Sequence, residues 1–449
     1  VSLYQGLLQR AAEGRPIRVG LIGAGKFGSM YLSQIPRTPG VHLVGIADVN
    51  PVAARANLTR VGWEPSRLAA TSFAEALKTG QTFITERVEA LLACPEIEIV
   101  VECTGHPIAA VDHILAAFAS GKDVVNVTVE ADAFCGPLLA TRAKASGRIY
   151  SLAYGDQPAM ICDLVDWART CGFPVVAAGR GHKWLPHFAQ STPDTVWDNW
   201  GLSPAQAERG GLNPKMFNSF LDGSKPSIES TAVANATGLG VPSNGLQYPP
   251  ASIEDIPYVT RPIAEGGCLE RKGMVEVISS LERDGRSIPY EIRMGVWVTV
   301  EGETEYIRNC FEEYKAHTDP SGRYFTLYKR WHLIGLEVGQ SVASVALRRE
   351  PTGCPIAWNA DVAATAKRDL REGETLDGEG GYTVWGKLTP AKESAEKSFL
   401  PLGLAHGIRL VRPVRAGQTL TWADVERVPS NALRLREEMV RECAPGGLG

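Results

Sequence analysis

The stretch Ile17-Arg-Val-Gly-Leu-Ile-Gly-Ala-Gly-Lys-Phe-Gly28 decides the fold. Its first half is a short apolar run with the Val and Ile content of a buried parallel strand. Its second half is a G-x-G-x-x-G loop, with Gly23, Gly25 and Gly28 at the fixed positions and Lys26 and Phe27 between them. A helical segment over 29–34 follows and Pro36 stops it. Each glycine has a task in a dinucleotide site. Gly23 allows the tight turn out of the strand, Gly25 lets backbone N–H groups approach a pyrophosphate, and Gly28 lets the helix pack on the strand. The start of the helix then offers unpaired N–H donors and a partial positive charge to the anion.

A glycine-rich surface turn is the bland reading of such a loop. Against it stand the strand that precedes the loop and the second apolar run, Val41–Ala47, which ends in Asp48. An acid at that place accepts hydrogen bonds from the adenosine ribose hydroxyls. Asp48 favours NAD because its charge repels a 2′-phosphate, while the nearby Arg55 pulls the other way, so the cofactor is NAD or NADP.

A chain of 449 residues is long enough for two or three domains and a sizeable core. A net charge of −4 gives no global attraction to nucleic acid or to acidic membranes, and no apolar run approaches the length of a membrane span. The first twelve residues read as an amphipathic helix, not an export signal. The nine cysteines include no C-x-x-C pair, so thiols in a reducing cytoplasm are the simplest expectation, and no Cys/His cluster has zinc-ligand spacing.

Further along, 51–93 reads as helical and Ile99–Glu102 as a strand that ends in Cys103-Thr104-Gly105. Ligands of doubly wound sheets bind beyond the carboxyl ends of the strands, so these three residues are expected near the nicotinamide ribose. With no base beside it, the Cys103 thiol is read as structural rather than nucleophilic. Strands at 122–128 and 148–153 around a helix at 136–146 complete a six-stranded α/β domain. After Tyr154 the texture changes. A strand at 175–178 is expected to break into the basic turn Gly179-Arg-Gly-His-Lys183, and 291–300 reads as a strand of an antiparallel sheet. The expected division is a Rossmann domain at 1–155, an α+β substrate and oligomerisation domain with an antiparallel or mixed sheet at 156–350, a small β-rich module at 351–430 and a tail at 431–449.

Reducing a carbonyl needs an acid or cation at the oxygen, where negative charge develops. The 179–183 turn supplies Arg180, His182 and Lys183, with Lys183 the first choice for proton donor or carbonyl clamp and a solvated basic turn as the alternative. The second cluster is Asn213–Glu229. There Ser224 and Lys225 suit a phosphate or carboxylate, and Asp222, Lys225 and Glu229 suit acid–base work. The two acids are also candidate ligands for Mg²⁺ or Mn²⁺. The competing reading is a loop that caps a helix starting near Ser227, since Pro226 argues against a continuous helix. Asn235 either orients substrate or satisfies backbone.

With these residues laid out, 15–155 resembles the nucleotide domain of homoserine dehydrogenases, and 358–430 resembles a SAF (β-clip) module. Combined with Glu102-Cys-Thr-Gly105, Gly155-Asp-Gln-Pro158 and Asn235-Ala-Thr-Gly-Leu239, the chain is similar to the 1-deoxy-D-xylulose 5-phosphate reductoisomerase-like proteins. The resemblance implies NADPH-dependent conversion of that ketose phosphate to 2-C-methyl-D-erythritol 4-phosphate, and a lysine from the substrate domain at the reacting carbonyl. Two alternatives accompany it: a homoserine dehydrogenase-like dehydrogenase of a hydroxy acid or polyol, and a cofactor-bound sensor without turnover. The expected partner is a small, phosphorylated molecule, with no nucleic acid or membrane, and the expected assembly is a cytoplasmic homodimer or homotetramer.

Overall fold

The computed structural model describes residues 2–443 and 445. These fall into two compact units. One is formed by the chain up to Met160 together with Leu333–Cys354, the other by Ile161–His332 and the chain from Pro355 onward.

The first unit is built on six strands: β1 (Ile17–Ile22), β2 (Val41–Ala47), β3 (Phe83–Thr85), β4 (Ile99–Glu102), β5 (Asp123–Asn126) and β6 (Tyr150–Leu152). Their order is β3-β2-β1-β4-β5-β6 and every neighbouring pair is parallel. β1 and β4 lie side by side although the chain makes β2 and β3 between them. The loops leaving these two strands therefore flank the switch point where doubly wound sheets bind ligands. The buried, branched runs of β1, β2 and β4 form the core, as fully covered parallel strands require.

Two readings of this unit change. Residues 51–93 are not all helix, because β3 interrupts them and pairs at the sheet edge with β2. Three residues are too few to display a period. The helix expected from 136 begins at Val129 and carries Pro137 in its interior. The polar Glu130 and Asp132 sit in its first turn, where acids meet the positive end of the helix.

The helix Gly339–Arg348, assigned by sequence to the middle block, packs on the first unit's core. Val338, Val342 and Val345 recur at helical spacing and are fully buried there. The segment after it closes on β6, where Leu152 N donates to Gly353 O at 2.7 Å.

The second unit contains a mixed sheet of β7 (Val175–His182), β8 (Met274–Ser279), β9 (Val296–Glu301) and β10 (Tyr324–Lys329) in the order β10-β9-β7-β8. β7 is parallel to β8, and β9 is antiparallel to both β7 and β10. The strand expected over 291–300 thus starts later, after a turn in which Gly295 N donates to Ile292 O at 2.8 Å.

β7 does not break at residue 178 but runs through His182, and its Gly179-Arg-Gly-His segment is buried. Glycines usually interrupt strands, and that misleads here. A Cβ on Gly179 would lie 1.7 Å from the Glu276 carbonyl oxygen, and one on Gly181 would lie 2.0 Å from that of Ile292. The glycines permit a close backbone approach on one face, while Arg180 and His182 alternate to the other.

The helix Ser224–Thr237 is buried at nearly every position and packs against β7 and β8. It also packs against β11 (Ala360–Ala366) and β13 (Val384–Pro390), an antiparallel pair. β12 (Thr375–Asp377) pairs with β14 (His406–Arg409), and bridges at Thr365–Thr419 and Leu370–Val414 tie the first half of the C-terminal block to its second. This block lies within the second unit. A helix, Asn431–Glu442, occupies much of the expected tail, and the remainder, apart from Cys443 and Pro445, lies outside the described residues.

Candidate active site

In the first unit the candidate site is made of backbone. Gly23 has φ +90°, and a Cβ there would press to 3.0 Å against Cys103 and Thr104 backbone atoms, so the turns after β1 and β4 touch. A Cβ on Gly28 would meet Gly23 O at 2.5 Å, which is the close helix–strand packing expected of the third glycine. Around Gly25 a Cβ would find no atom within 4 Å, leaving an open cradle. The helix Lys26–Gln34 starts there, with Phe27 in its first turn and no side-chain cap on its N–H groups. Asp48 anchors the loop: its Oδ2 accepts from Ala24 N at 2.7 Å and its Oδ1 from Asn50 N at 2.8 Å. Arg55 is turned away from Asp48, donating to Leu68 O at 2.8 Å. This donor set and open cradle fit a dinucleotide phosphate.

The loop after β4 is held by Glu102, to which the sequence reading assigned no role of its own. Its buried carboxylate accepts from Thr104 Oγ1 at 2.6 Å, from Thr128 Oγ1, and lies 3.3 Å from His113 Nδ1. Thr128 in turn accepts from Gly105 N at 3.0 Å. Burial, and then the Glu102 charge, push the Cys103 thiol well above its usual range, which makes it a poor nucleophile. Deeper in the unit, Asp132 accepts from Tyr150 Oη at 2.9 Å, and burial pushes its carboxyl up to about 7.

In the second unit the candidate site is made of side chains. Arg180, on β7, pairs with Glu229 from the helix Ser224–Thr237, both almost fully buried. His182 Nε2 lies 2.8 Å from Phe220 O, and burial, followed by the Arg180 charge, drives its pKa well below the usual value, so the ring is neutral. Lys183 is half-buried, and its ammonium donates to Asn199 O and Trp200 O at 2.8 Å each. Burial and then the Arg293 charge lower its pKa. Arg293, which no motif marks, is also only partly buried, with its guanidinium 5.1 Å from the Trp200 ring centre.

Asp222 lies between two helices, Pro214–Leu221 and Ser224–Thr237, so it and Glu229 do not share one helix. Pro226 does not prevent the second helix, because it falls in the first turn, where its missing N–H costs nothing. The buried Asp222 Oδ2 faces the Lys367 ammonium at 2.8 Å, and Lys367 also donates to Ser191 O and Gly381 O at 2.6 Å each. Burial raises the Asp222 carboxyl against the opposing pull of Lys367. Ser224 Oγ accepts from Gly386 N at 2.8 Å, and Lys225 is in the first helical turn. Asn235 Oδ1 accepts from Asn359 N and Ala360 N at 2.8 and 2.9 Å, tying its helix to β11. Beside this cluster, Glu276 on β8 accepts from the backbone N–H groups of Gln247, Tyr248 and Val277, and burial still pushes its carboxyl up to about 7.

The structure thus brings Arg180 to Glu229 and Asp222 to Lys367. It does not bring Asp222, Ser224, Lys225 and Glu229 into one loop. Lys367 and Arg293 were missed. The only local hint of Lys367 is a cation directly after the small apolar run of β11.

Residues 23–152 match the NAD binding domain of homoserine dehydrogenase, and residues 155–338 match the catalytic domain of oxidoreductase DRL. No curated protein matches the chain. Among solved structures, a homoserine dehydrogenase from Thiobacillus denitrificans is 18% identical, with 75% of this chain and 76% of that chain covered at a TM-score of 0.40. An NAD binding oxidoreductase from Klebsiella pneumoniae is 17% identical over 39% of this chain and 45% of that one, at a TM-score of 0.29. A 3-ketoreductase from Actinomadura kijaniata in complex with NADP is 19% identical over 38% and 50%, at 0.24. The chain spans about half the length of the first solved structures it matches. Among the described residues no helix is long and apolar enough to cross a membrane. The chain therefore carries, in order, a segment similar to a homoserine dehydrogenase NAD binding domain and a segment similar to an oxidoreductase catalytic domain.

Proposed function

We propose that the chain catalyses hydride transfer between NAD(P) and the carbonyl or alcohol carbon of a small anionic substrate, with Lys183 as the proton donor or acceptor at oxygen. The observation that carries this reading is the pair of half-buried cations, Lys183 and Arg293, each close enough for Arg293 to depress the Lys183 pKa. Such a lysine gives up its proton more readily than a solvated one, and the neighbouring guanidinium suits a phosphate or carboxylate. Buried Arg180, Glu229 and His182 support the strand end from which Lys183 projects.

When bound, the nicotinamide supplies or takes the hydride. The open turn at Gly25 and the uncapped start of the helix Lys26–Gln34 would take its pyrophosphate, and Asp48 its adenosine ribose. Arg55 is engaged at Leu68 O, so the side chain best placed to accept a 2′-phosphate is absent beside Asp48 and NAD is the preferred cofactor in this reading.

The first substrate to test is 1-deoxy-D-xylulose 5-phosphate, whose phosphate and carbonyl fit the two cations. The second reading is a dehydrogenase of a hydroxy acid or polyol that needs no metal. It is favoured by one observation, the engagement of both candidate metal ligands with cations. Asp222 and Glu229 are each committed to a cation, Lys367 and Arg180. No step is therefore routed through Mg²⁺ or Mn²⁺. The deciding experiment follows absorbance of NADH and NADPH with the ketose phosphate, homoserine and a panel of hydroxy acids, with and without chelator. Turnover that Lys183→Ala abolishes while cofactor binding persists supports the proposal. Turnover unaffected by that substitution overturns the role of Lys183.

A further inference from the structure

A cavity of about 440 Å³ opens in the C-terminal part of the second unit, within the size range of small-molecule sites. None of the residues of the buried polar centre lines it. Its walls combine aromatic faces with guanidinium groups. Arg436 lies 5.4 Å from the Trp358 ring centre and is committed to a buried ion pair with Asp361. Arg427 lies 5.3 Å from the Trp422 ring centre and shares a 3.3 Å contact with Glu437, the one carboxylate of the lining. Arg441 also lines the cavity and has no hydrogen bond or ion pair among the described residues. The lining therefore carries three guanidinium groups against one carboxylate.

A second observation stands apart from the charges. Trp358 is 1% exposed and forms part of the wall, yet its indole N–H has no acceptor. A buried donor left unpaired costs about 1–3 kcal/mol, a cost the fold carries in the wall of this cavity. Aromatic faces flanked by guanidinium groups favour a flat molecule, and an uncommitted guanidinium favours a carboxylate or phosphate on it.

We propose that this cavity is a ligand site, separate from the dinucleotide turn and from the polar centre, that takes a planar aromatic anion. The unpaired Arg441 holds its acidic group, and the ring lies against the tryptophan and arginine planes.

The test is isothermal titration of the full chain, saturated with NAD so that the dinucleotide turn is filled, using 2-naphthoate as the probe and 2-naphthamide as its neutral counterpart. The expected result is saturable binding of the naphthoate, at least tenfold weaker binding of the naphthamide, and at least tenfold weaker naphthoate binding in Arg441→Ala. Arg441 is exposed, so this variant folds, which a thermal melt checks. Trp422→Ala removes the partly exposed ring of the lining and weakens binding several-fold. No binding of naphthoate up to its solubility limit, equal binding of the neutral probe, or binding unchanged in both variants overturns the proposal. The readout needs no turnover, so its failure is distinct from failure of the assigned reaction.

Discussion

The two units place polar chemistry in opposite ways. The first presents backbone: an open turn at Gly25, an uncapped helix start, and side chains such as Asp48 and Glu102 that mainly hold loops in place. The second buries charge: Arg180 with Glu229 and Asp222 with Lys367, each pair nearly inaccessible to water. A backbone site depends on conformation, which neighbouring residues dictate. A side-chain site depends on pairing, which joins distant residues. The lesson is that a substitution should damage the first unit through geometry and the second through uncompensated charge.

The sharpest test of that contrast is Arg180→Met. It leaves Glu229 buried without its cation and should cost about 3–5 kcal/mol in urea unfolding. Adding Glu229→Leu should restore most of the loss; if the double variant is no better than the single, charge is not what the pair contributes. Next comes Lys183→Met. Removing a positioned proton donor should lower turnover roughly 10²–10⁴-fold, while stability changes little because the side chain is half-exposed.

The two carboxyls pushed to about 7, Asp132 in the first unit and Glu276 in the second, offer a like-for-like comparison. Each folded pKa is raised above the unfolded value, so each favours the fold most below about pH 4. That contribution is lost as pH climbs to about 7, by at most about 3 kcal/mol for Glu276 and about 4 kcal/mol for Asp132. Urea midpoints across this range should show the slope, and Glu276→Gln or Asp132→Asn should each flatten its own share. A slope that neither variant alters would break the assignment. The smallest structural effect is expected for Gly25→Ala. No atom lies near its Cβ, so unfolding should be unchanged, while cofactor affinity should fall roughly tenfold. Gly28→Ala, with Gly23 O in the way, should lose both.

The same division explains what was legible. The strand, glycines and acid of 17–48 are contiguous, and the turn they form is the one their order demands. The short edge strand β3 left no period to detect. The Gly179–His182 segment was misread because glycine signals a break, and only the carbonyls of Glu276 and Ile292 explain why it belongs in a strand. Arg180 and Glu229 are 49 residues apart, and Lys367 reaches Ser191 O across 176. No local pattern announces partners at such separations. The range 156–350 takes in helix Gly339–Arg348, but the buried Val338, Val342 and Val345 do not say which core receives them.

The helix Ser224–Thr237 has a further consequence. Because β11 and β13 form one of its walls and Asn235 closes onto Asn359 and Ala360, the chain beyond Pro355 is not an appendage that can be shed. A chain cut there would expose a helix that is otherwise buried at nearly every position, its Asn235 losing its backbone partners. Any relative that lacks the C-terminal block must have acquired either another cover for this helix or a different sequence for it.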